Sequence, residues 1–164
     1  MYLFGDRYTI NSGALTLEEC AFTVHVTVVS RPTAERGIID GGSKTFSSDL
    51  LGQDGYGLIL EYPEARITGL SEEHGTVDFT ACARRPAIGE RLTVVANHCC
   101  PVVNLFNQLV GVRGGVVEVT WPVAARGMKS RASPRKSTSR RPTLSRRRTL
   151  TRTTTTTWAN AIMH

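Results

Sequence analysis

The sequence predicts a mainly β domain, a compact barrel or sandwich with a minor short helix, followed by a disordered tail. Short apolar runs alternate with turn residues about every ten positions, which is typical of barrels and sandwiches. The sequence contains no amphipathic run of ten or more residues, so no longer helix is predicted, and it has no internal repeat. At 164 residues, the chain is long enough for one domain with a core of its own.

Strands are predicted wherever β-branched and apolar residues cluster between turn signals. The first strand, Ala21–Ser30, is rich in Val and Thr and ends at Arg31-Pro32. The second, Gly37–Asp40, runs into Gly41-Gly42. The others are predicted at Leu58–Glu61, Arg66–Leu70, Thr76–Thr80, Arg91–Ala96, Val102–Phe106, Gln108–Val112 and Val116–Val119.

Turn and helix signals complete this prediction. Gly114-Gly115 is typical of a tight turn between the last two strands. Asn107 indicates another turn between the two strands before it. The segment Thr16–Glu19 has the pattern of a capping box, so we expect a short helix to begin near Cys20.

The basic residues divide the chain into a domain at 1–127 and a tail at 128–164. From Lys129 to His164 there are ten basic and no acidic residues, whereas residues 1–128 hold ten basic against 14 acidic ones. The tail is rich in Ser, Thr and Arg and holds too little apolar surface to offset its ordering entropy, which predicts disorder. It could bind nucleic acid or an anionic membrane surface through its charge. The other interpretations of these residues are a solvated tail without a role and sequence from an altered reading frame.

The sequence also indicates where the chain resides. No apolar stretch reaches the roughly 18 residues of a membrane-spanning helix, and the N-terminus lacks the pattern of a secretory signal. The four cysteines, Cys20, Cys82, Cys99 and Cys100, have no regular spacing, which favours free thiols over a disulfide framework. We therefore expect a cytoplasmic location.

The segment Asn97-His98-Cys99-Cys100-Pro101 is the strongest candidate for a chemical site. It follows a predicted strand, in which His98 and Cys100 would share one face and Cys99 would point to the other. Imidazole and thiolate together favour zinc. Two ligands alone leave coordination positions open, as catalysis requires. The competing interpretation is that both cysteines are small buried apolar residues.

Several other polar residues are weaker candidates. Glu72, Glu73 and His74 could hydrogen-bond a metal ligand, or form a polar loop or an interface. His25 is more typical of a core or interface histidine than of a ligand. Lys44 follows Gly41-Gly42-Ser43, but the phosphate-loop spacing is not met, so we interpret Lys44 as structural or interfacial, with Asp40 as its salt-bridge partner.

Several of these motifs occur together in one order, and the set resembles a known family. The motifs are Val28-Val29-Ser30-Arg31-Pro32, Asp40-Gly41-Gly42-Ser43-Lys44, Ser71-Glu72-Glu73-His74-Gly75, Asn97 to Leu105, Trp121-Pro122-Val123 and Arg126-Gly127. This resembles the C-terminal domain of the D-threonine aldolase and D-serine dehydratase family, pyridoxal-phosphate (PLP) enzymes of the alanine-racemase-like fold. The resemblance covers roughly residues 2 to 127.

The resemblance implies a site and a reaction. In the family a histidine, and a cysteine or aspartate two residues later, hold a divalent metal, and this motif falls on His98 and Cys100. A thiolate favours zinc, with manganese as the alternative. The substrates implied are D-hydroxy amino acids, cleaved by retro-aldol reaction or dehydrated. The family's Schiff-base lysine lies in a preceding PLP barrel that is absent here, so we expect the isolated chain to be inactive. Its barrel-facing surface would bind the missing barrel or self-associate. The alternative interpretation is a non-catalytic interaction module or a gene fragment.

Overall fold

The computed structural model describes residues 4–124, 126 and, by backbone alone, 161–163. Over this part of the chain, nine strands and three short helices are formed. The strands are β1 (Phe22–Ser30), β2 (Arg36–Ile39), β3 (Leu58–Ile59), β4 (Arg66–Leu70), β5 (Gly75–Asp78), β6 (Arg91–Val95), β7 (Gln108–Arg113), β8 (Val116–Pro122) and β9 (Ala161–Met163). The helices are α1 (Arg7–Asn11), α2 (Ser43–Phe46) and α3 (Cys99–Leu105).

The strands form one curled sheet, a half-barrel, in the order β4-β5-β2-β1-β9-β7-β8. Strand β6 leaves this path, pairing with both β1 and β3. The β1–β6 ladder is antiparallel and aligns Val24 with Val94 and Val26 with Leu92. The prediction of a mainly β domain with minor helix is confirmed.

Strand β1 lies at the centre of the sheet because its sequence alternates. Val24, Val26 and Val28 point to one face and are buried, whereas His25 and Thr27 on the other face are only half-buried. The buried face belongs to one apolar core with side chains from the rest of the sheet and the residue after β5, among them Ile39, Ile67, Val77, Phe79 and Leu92. Burial of these β-branched and aromatic side chains is the main force that holds the sheet in its curled form.

Two segments differ from the sequence prediction. Val102–Phe106 was expected to be a strand, but it belongs mostly to α3 and its C-cap. Pro101 lies in the first turn of α3, where backbone N–H groups have no partner within the helix, so it does not interrupt the helix. Thr16–Glu19 forms a turn instead of starting a helix. Its Glu19 carboxylate accepts the Thr16 N–H at 2.8 Å, so the local hydrogen bond forms without the helix.

Helices α1 and α2 were not predicted from the sequence. Helix α1 begins after Asp6, whose side chain forms a reciprocal capping box with Thr9. Helix α2 is one turn long and packs against α3. None of the described helices is long and apolar enough to cross a membrane. The predicted disordered tail lies outside the described residues except for 161–163.

Candidate metal centre

His98 and Cys100 lie where β6 passes into α3. His98 is the N-cap of α3 and has extended backbone angles, φ −140° and ψ 106°, whereas Cys99 and Cys100 are its first two residues. His98 and Cys100 therefore do not lie on one face of a strand, and that sequence-based prediction is wrong because the strand ends before His98 and a helix begins at Cys99. At the start of the helix the two cysteines nevertheless lie in different environments, since Cys99 is buried whereas Cys100 is exposed.

Asp49 is the carboxylate partner of His98. The Nδ1 atom of His98 lies 2.8 Å from Oδ2 of Asp49. Because a carboxylate only accepts hydrogen bonds, Nδ1 carries a proton and donates a hydrogen bond to Asp49. Partial burial opposes protonation of the ring, but the hydrogen bonds and negative charges of Asp49 and Cys100 together outweigh it and raise the pKa of His98 above its usual value. With Nδ1 engaged in this way, Nε2 is the ring nitrogen left to bind a metal.

The two cysteines differ in their acidity. Burial raises the pKa of the Cys99 thiol to about 12, so Cys99 holds its proton at neutral pH. Partial burial also opposes ionisation of Cys100, but the pKa of Cys100 lies below its usual value, in part because His98 stabilises the thiolate by a hydrogen bond and by charge. Since metals bind the thiolate, this difference favours Cys100 over Cys99 as a ligand.

Asn97 connects this turn to the loop that carries Asp49. The buried side chain of Asn97 donates from Nδ2 to the backbone carbonyls of Leu50 at 3.2 Å and Gly55 at 2.7 Å. Arg7 reaches the same loop and donates to the carbonyl of Asp54 at 2.5 Å. These contacts hold Asp49 beside His98, although the two residues are 49 positions apart in the sequence.

The weaker candidates lie around α2. The Nζ atom of Lys44 is 2.5 Å from Glu73 and 3.7 Å from Glu72, and all three side chains are exposed. Asp40 is not the partner of Lys44, because its carboxylate accepts the N–H of Thr27 at 2.7 Å. That predicted salt bridge is therefore wrong. Contacts from Glu72, Glu73 or His74 to the metal ligands stay a prediction.

The donor set fits a divalent ion in an open site. Within the described residues, no group of three or more His, Cys, Asp and Glu side chains is placed to hold a metal. An imidazole oriented by a carboxylate and an ionisable thiol are the donors that zinc takes. A site built on these two leaves coordination positions for water and a substrate oxygen. His25 lies away from this site, on β1, at a cavity of about 190 Å³ that Asp40, Arg91 and Phe106 also line.

Comparison with solved structures identifies proteins with the same fold. A D-threo-3-hydroxyaspartate dehydratase from Delftia sp. HT23 superposes with a TM-score of 0.63 at 27% identity, over 74% of this chain and 36% of that one. D-threonine aldolase from Filomicrobium marinum gives a TM-score of 0.56 at 31% identity, over 63% and 27%. Two further structures are variants of such a dehydratase. In one, alanine replaces a histidine. In the other, which is metal-free, alanine replaces a cysteine two positions after that histidine.

Sequence relatives point the same way. A family model described as "Putative serine dehydratase domain" matches residues 21–112. An uncharacterized protein of Mycobacterium tuberculosis is 37% identical over 130 residues, covering 76% of this chain and 98% of that protein. D-threonine aldolase of Arthrobacter sp. is 36% identical over 115 residues, covering 70% of this chain but only 29% of the aldolase. The fold, the matched residues and these relatives show that the chain belongs to the serine dehydratase domain family, together with D-threonine aldolase and D-threo-3-hydroxyaspartate dehydratase.

Proposed function

We propose that this chain is the metal-binding β domain of a PLP-dependent lyase that acts on D-hydroxy amino acids, of the D-threonine aldolase or D-serine dehydratase type. The observation that carries the proposal is the arrangement at the start of α3, where Asp49 orients His98 and the exposed Cys100 lies beside it. The metal-free form of a related dehydratase that lacks a cysteine supports a ligand role for Cys100. Zinc is the favoured ion because Cys100 offers a thiolate, and manganese is the alternative.

The residues of this chain would supply one part of the reaction. His98 Nε2 and Cys100 Sγ would bind the ion, and Asp49 would keep the proton of the ring on Nδ1, so that Nε2 faces the metal. The open positions would receive the β-hydroxyl of the substrate, whose pKa falls on binding to a Lewis acid. PLP supplies the electron sink for the carbanion when it is bound in the full-length enzyme.

The chain covers 29% of the Arthrobacter aldolase and 27% to 36% of the two solved enzymes named above. We therefore propose that activity needs a PLP barrel in addition to these residues, and that residues 1–164 are inactive by themselves. A cytoplasmic location is part of the proposal, since all four cysteines are free thiols.

A complementation experiment tests this function. The barrel domain of a D-threonine aldolase, with PLP, would be mixed with this chain and assayed for glycine release from D-threonine and pyruvate release from D-serine. We expect activity with the mixture, none with either part alone, and none when His98→Ala replaces the wild-type chain, because the metal then lacks its imidazole ligand. Barrels from several relatives serve as controls for a mismatched interface. No activity with any barrel would count against the enzymatic proposal.

A non-catalytic interaction module is the second candidate, and it rests on strand β8. This strand ends the order of the sheet and exposes three apolar side chains, Val116 at 65%, Val117 at 60% and Trp121 at 38%. Among the described residues, β8 pairs on one side only, with β7, and an apolar edge strand of this kind favours pairing with another chain. We propose a second copy of this chain as that partner.

Sedimentation measurements distinguish this module from a monomeric domain. We expect oligomers that persist in 1 M salt (about 3 Å screening length), because apolar contacts are not screened. Val117→Lys should shift the protein toward the monomer. The control Ile88→Lys, at a similarly exposed apolar residue in a turn away from β8, should leave the oligomer intact. A wild-type monomer at high protein concentration would rule this candidate out.

A nucleic-acid role is proposed for the basic tail alone. The basic residues from Lys129 to Arg152 lie outside the described part of the chain, so this role stays a prediction. Binding of this kind should weaken steeply with salt, because it depends on the release of counterions.

A further inference from the structure

Asp6 has a fully buried carboxylate that serves two helices at once. Its Oδ1 atom accepts hydrogen bonds from the Thr9 N–H and the Thr9 hydroxyl, both at 2.9 Å, and so caps α1. Its Oδ2 atom accepts the N–H of Cys99 at 3.0 Å, which is the first N–H of α3. Burial opposes ionisation, but these hydrogen bonds outweigh it and lower the pKa of Asp6 below its usual value, so the carboxylate is charged at neutral pH.

Helix α3 has no cap of its own. Its N-cap residue, His98, makes no capping hydrogen bond from its side chain to the backbone N–H groups of the helix. The first N–H groups of a helix need partners from elsewhere, and here the partner comes from 93 residues earlier in the chain. The imidazole of His98 is thereby left for Asp49 and for the proposed metal.

Backbone hydrogen bonds also join the segment around Asp6 to the residues just before His98. The N–H of Arg7 donates to the carbonyl of Ala96 at 2.9 Å, and the N–H of Tyr8 donates to that of Asn97 at 3.3 Å. Together with the bond from Asp6 to Cys99, these contacts fix the chain on both sides of His98.

We propose that Asp6 is the positioning residue of the metal centre. By fixing the N–H of Cys99, it keeps the Cys99 thiol inside the core and turns the Cys100 thiol outward beside His98. The proposal rests on the proposed metal-binding function, but it concerns a residue with no contact to the metal itself.

Two variants of the full chain remove the bond between Asp6 and Cys99 from opposite ends. Asp6→Asn removes the charge and one acceptor. Cys99→Pro removes the N–H, at a helix position where proline is well tolerated, and the extended His98 before it is compatible with proline. Cys99→Ala is the matched control, because it removes the same thiol but keeps the N–H. Thr9→Val is the control for α1, because it removes the hydroxyl bonds to Asp6 and leaves Cys99 untouched.

Two readouts are used. The first is zinc affinity, measured by competition with a chelator, and the second is the absorption spectrum of the Co²⁺ form. We expect Asp6→Asn and Cys99→Pro to weaken zinc binding by about 10- to 100-fold, the range for partners outside the ligands, and to alter the thiolate-to-Co²⁺ band. Cys99→Ala and Thr9→Val should keep the wild-type affinity and spectrum. Wild-type behaviour of Asp6→Asn, or equal losses in Thr9→Val and Asp6→Asn, would overturn the proposal.

A second readout needs no metal and separates this proposal from the proposed function. In metal-free protein, alkylation with iodoacetamide should modify Cys100 quickly and Cys99 slowly, because Cys99 is only 1% exposed. Asp6→Asn should raise the rate at Cys99 while the thermal unfolding transition remains cooperative. An unchanged rate at Cys99 would refute the role of Asp6. Failure of the wild-type chain to bind zinc would refute the metal-binding function and leave the alkylation result to decide the role of Asp6.

Discussion

In the Cys100→Ala variant we expect zinc binding to be lost. The wild-type chain should bind one zinc ion, and removal of its thiolate should weaken the affinity by more than the roughly 10- to 100-fold that loss of an outer hydrogen-bond partner costs. The same loss is expected for His98→Ala, since a single remaining protein ligand cannot hold the ion. Elemental analysis after dialysis and competition with a chelator measure both effects.

The adjacent cysteine provides a matched control for this experiment. Cys99→Ala removes a thiol one residue away that is buried and protonated at neutral pH, so its zinc content should equal that of the wild-type chain. Zinc should also protect Cys100 from alkylation without changing the rate at Cys99. Full zinc content in Cys100→Ala, or zinc loss in Cys99→Ala alone, would show that the ligand had been assigned to the wrong residue.

In the Phe79→Ala variant we expect the free energy of unfolding to fall by about 3–5 kcal/mol. The ring of Phe79 is fully buried and packs edge-on against Tyr62, with ring centroids 5.5 Å apart. It also lies against Gly37, where a Cβ atom would come within 2.7 Å of the ring. Removing the ring leaves a cavity in the core between Tyr62 and Gly37. A domain of this size has about 5–15 kcal/mol in total, so the loss is a large fraction of its stability.

Urea unfolding, followed by tryptophan fluorescence and circular dichroism, measures this change. Phe79→Leu should cost less, because it keeps most of the buried volume. Ile88→Ala should have almost no effect, since Ile88 is 65% exposed. A Phe79→Ala variant as stable as Ile88→Ala would mean that Phe79 is not part of the core.

The sequence predicted most of the sheet because its strands carry local signals. The alternating Val residues of β1 and the run before Asn97 gave strands within one residue of those observed. The family is also confirmed. Val102-Val103 misled the prediction because β-branched residues favour strands locally. In the folded chain, burial of Val102 and the turn around Pro101 select a helix.

The candidate site was predictable only in part. The spacing of His98 and Cys100 marked the donors, their chemistry favoured zinc, and the family resemblance independently pointed to the same two residues. The partner Asp49 could not be found this way, because it comes from a separate loop with no pattern that links it to His98. The same holds for Asp6, which the local pattern of α1 explains as a cap, whereas its second hydrogen bond depends on the tertiary fold.

The bond from Asp6 to Cys99 has a consequence for how the chain folds. Contacts between distant residues close large loops and tend to form late, because the entropy of loop closure must be offset before they contribute. The proposed metal centre depends on closures of 93 and 49 residues. The partly folded chain would therefore lack an ordered pair of donors. Binding of the ion would follow the completion of tertiary structure, so zinc would stabilise the finished domain without starting its folding.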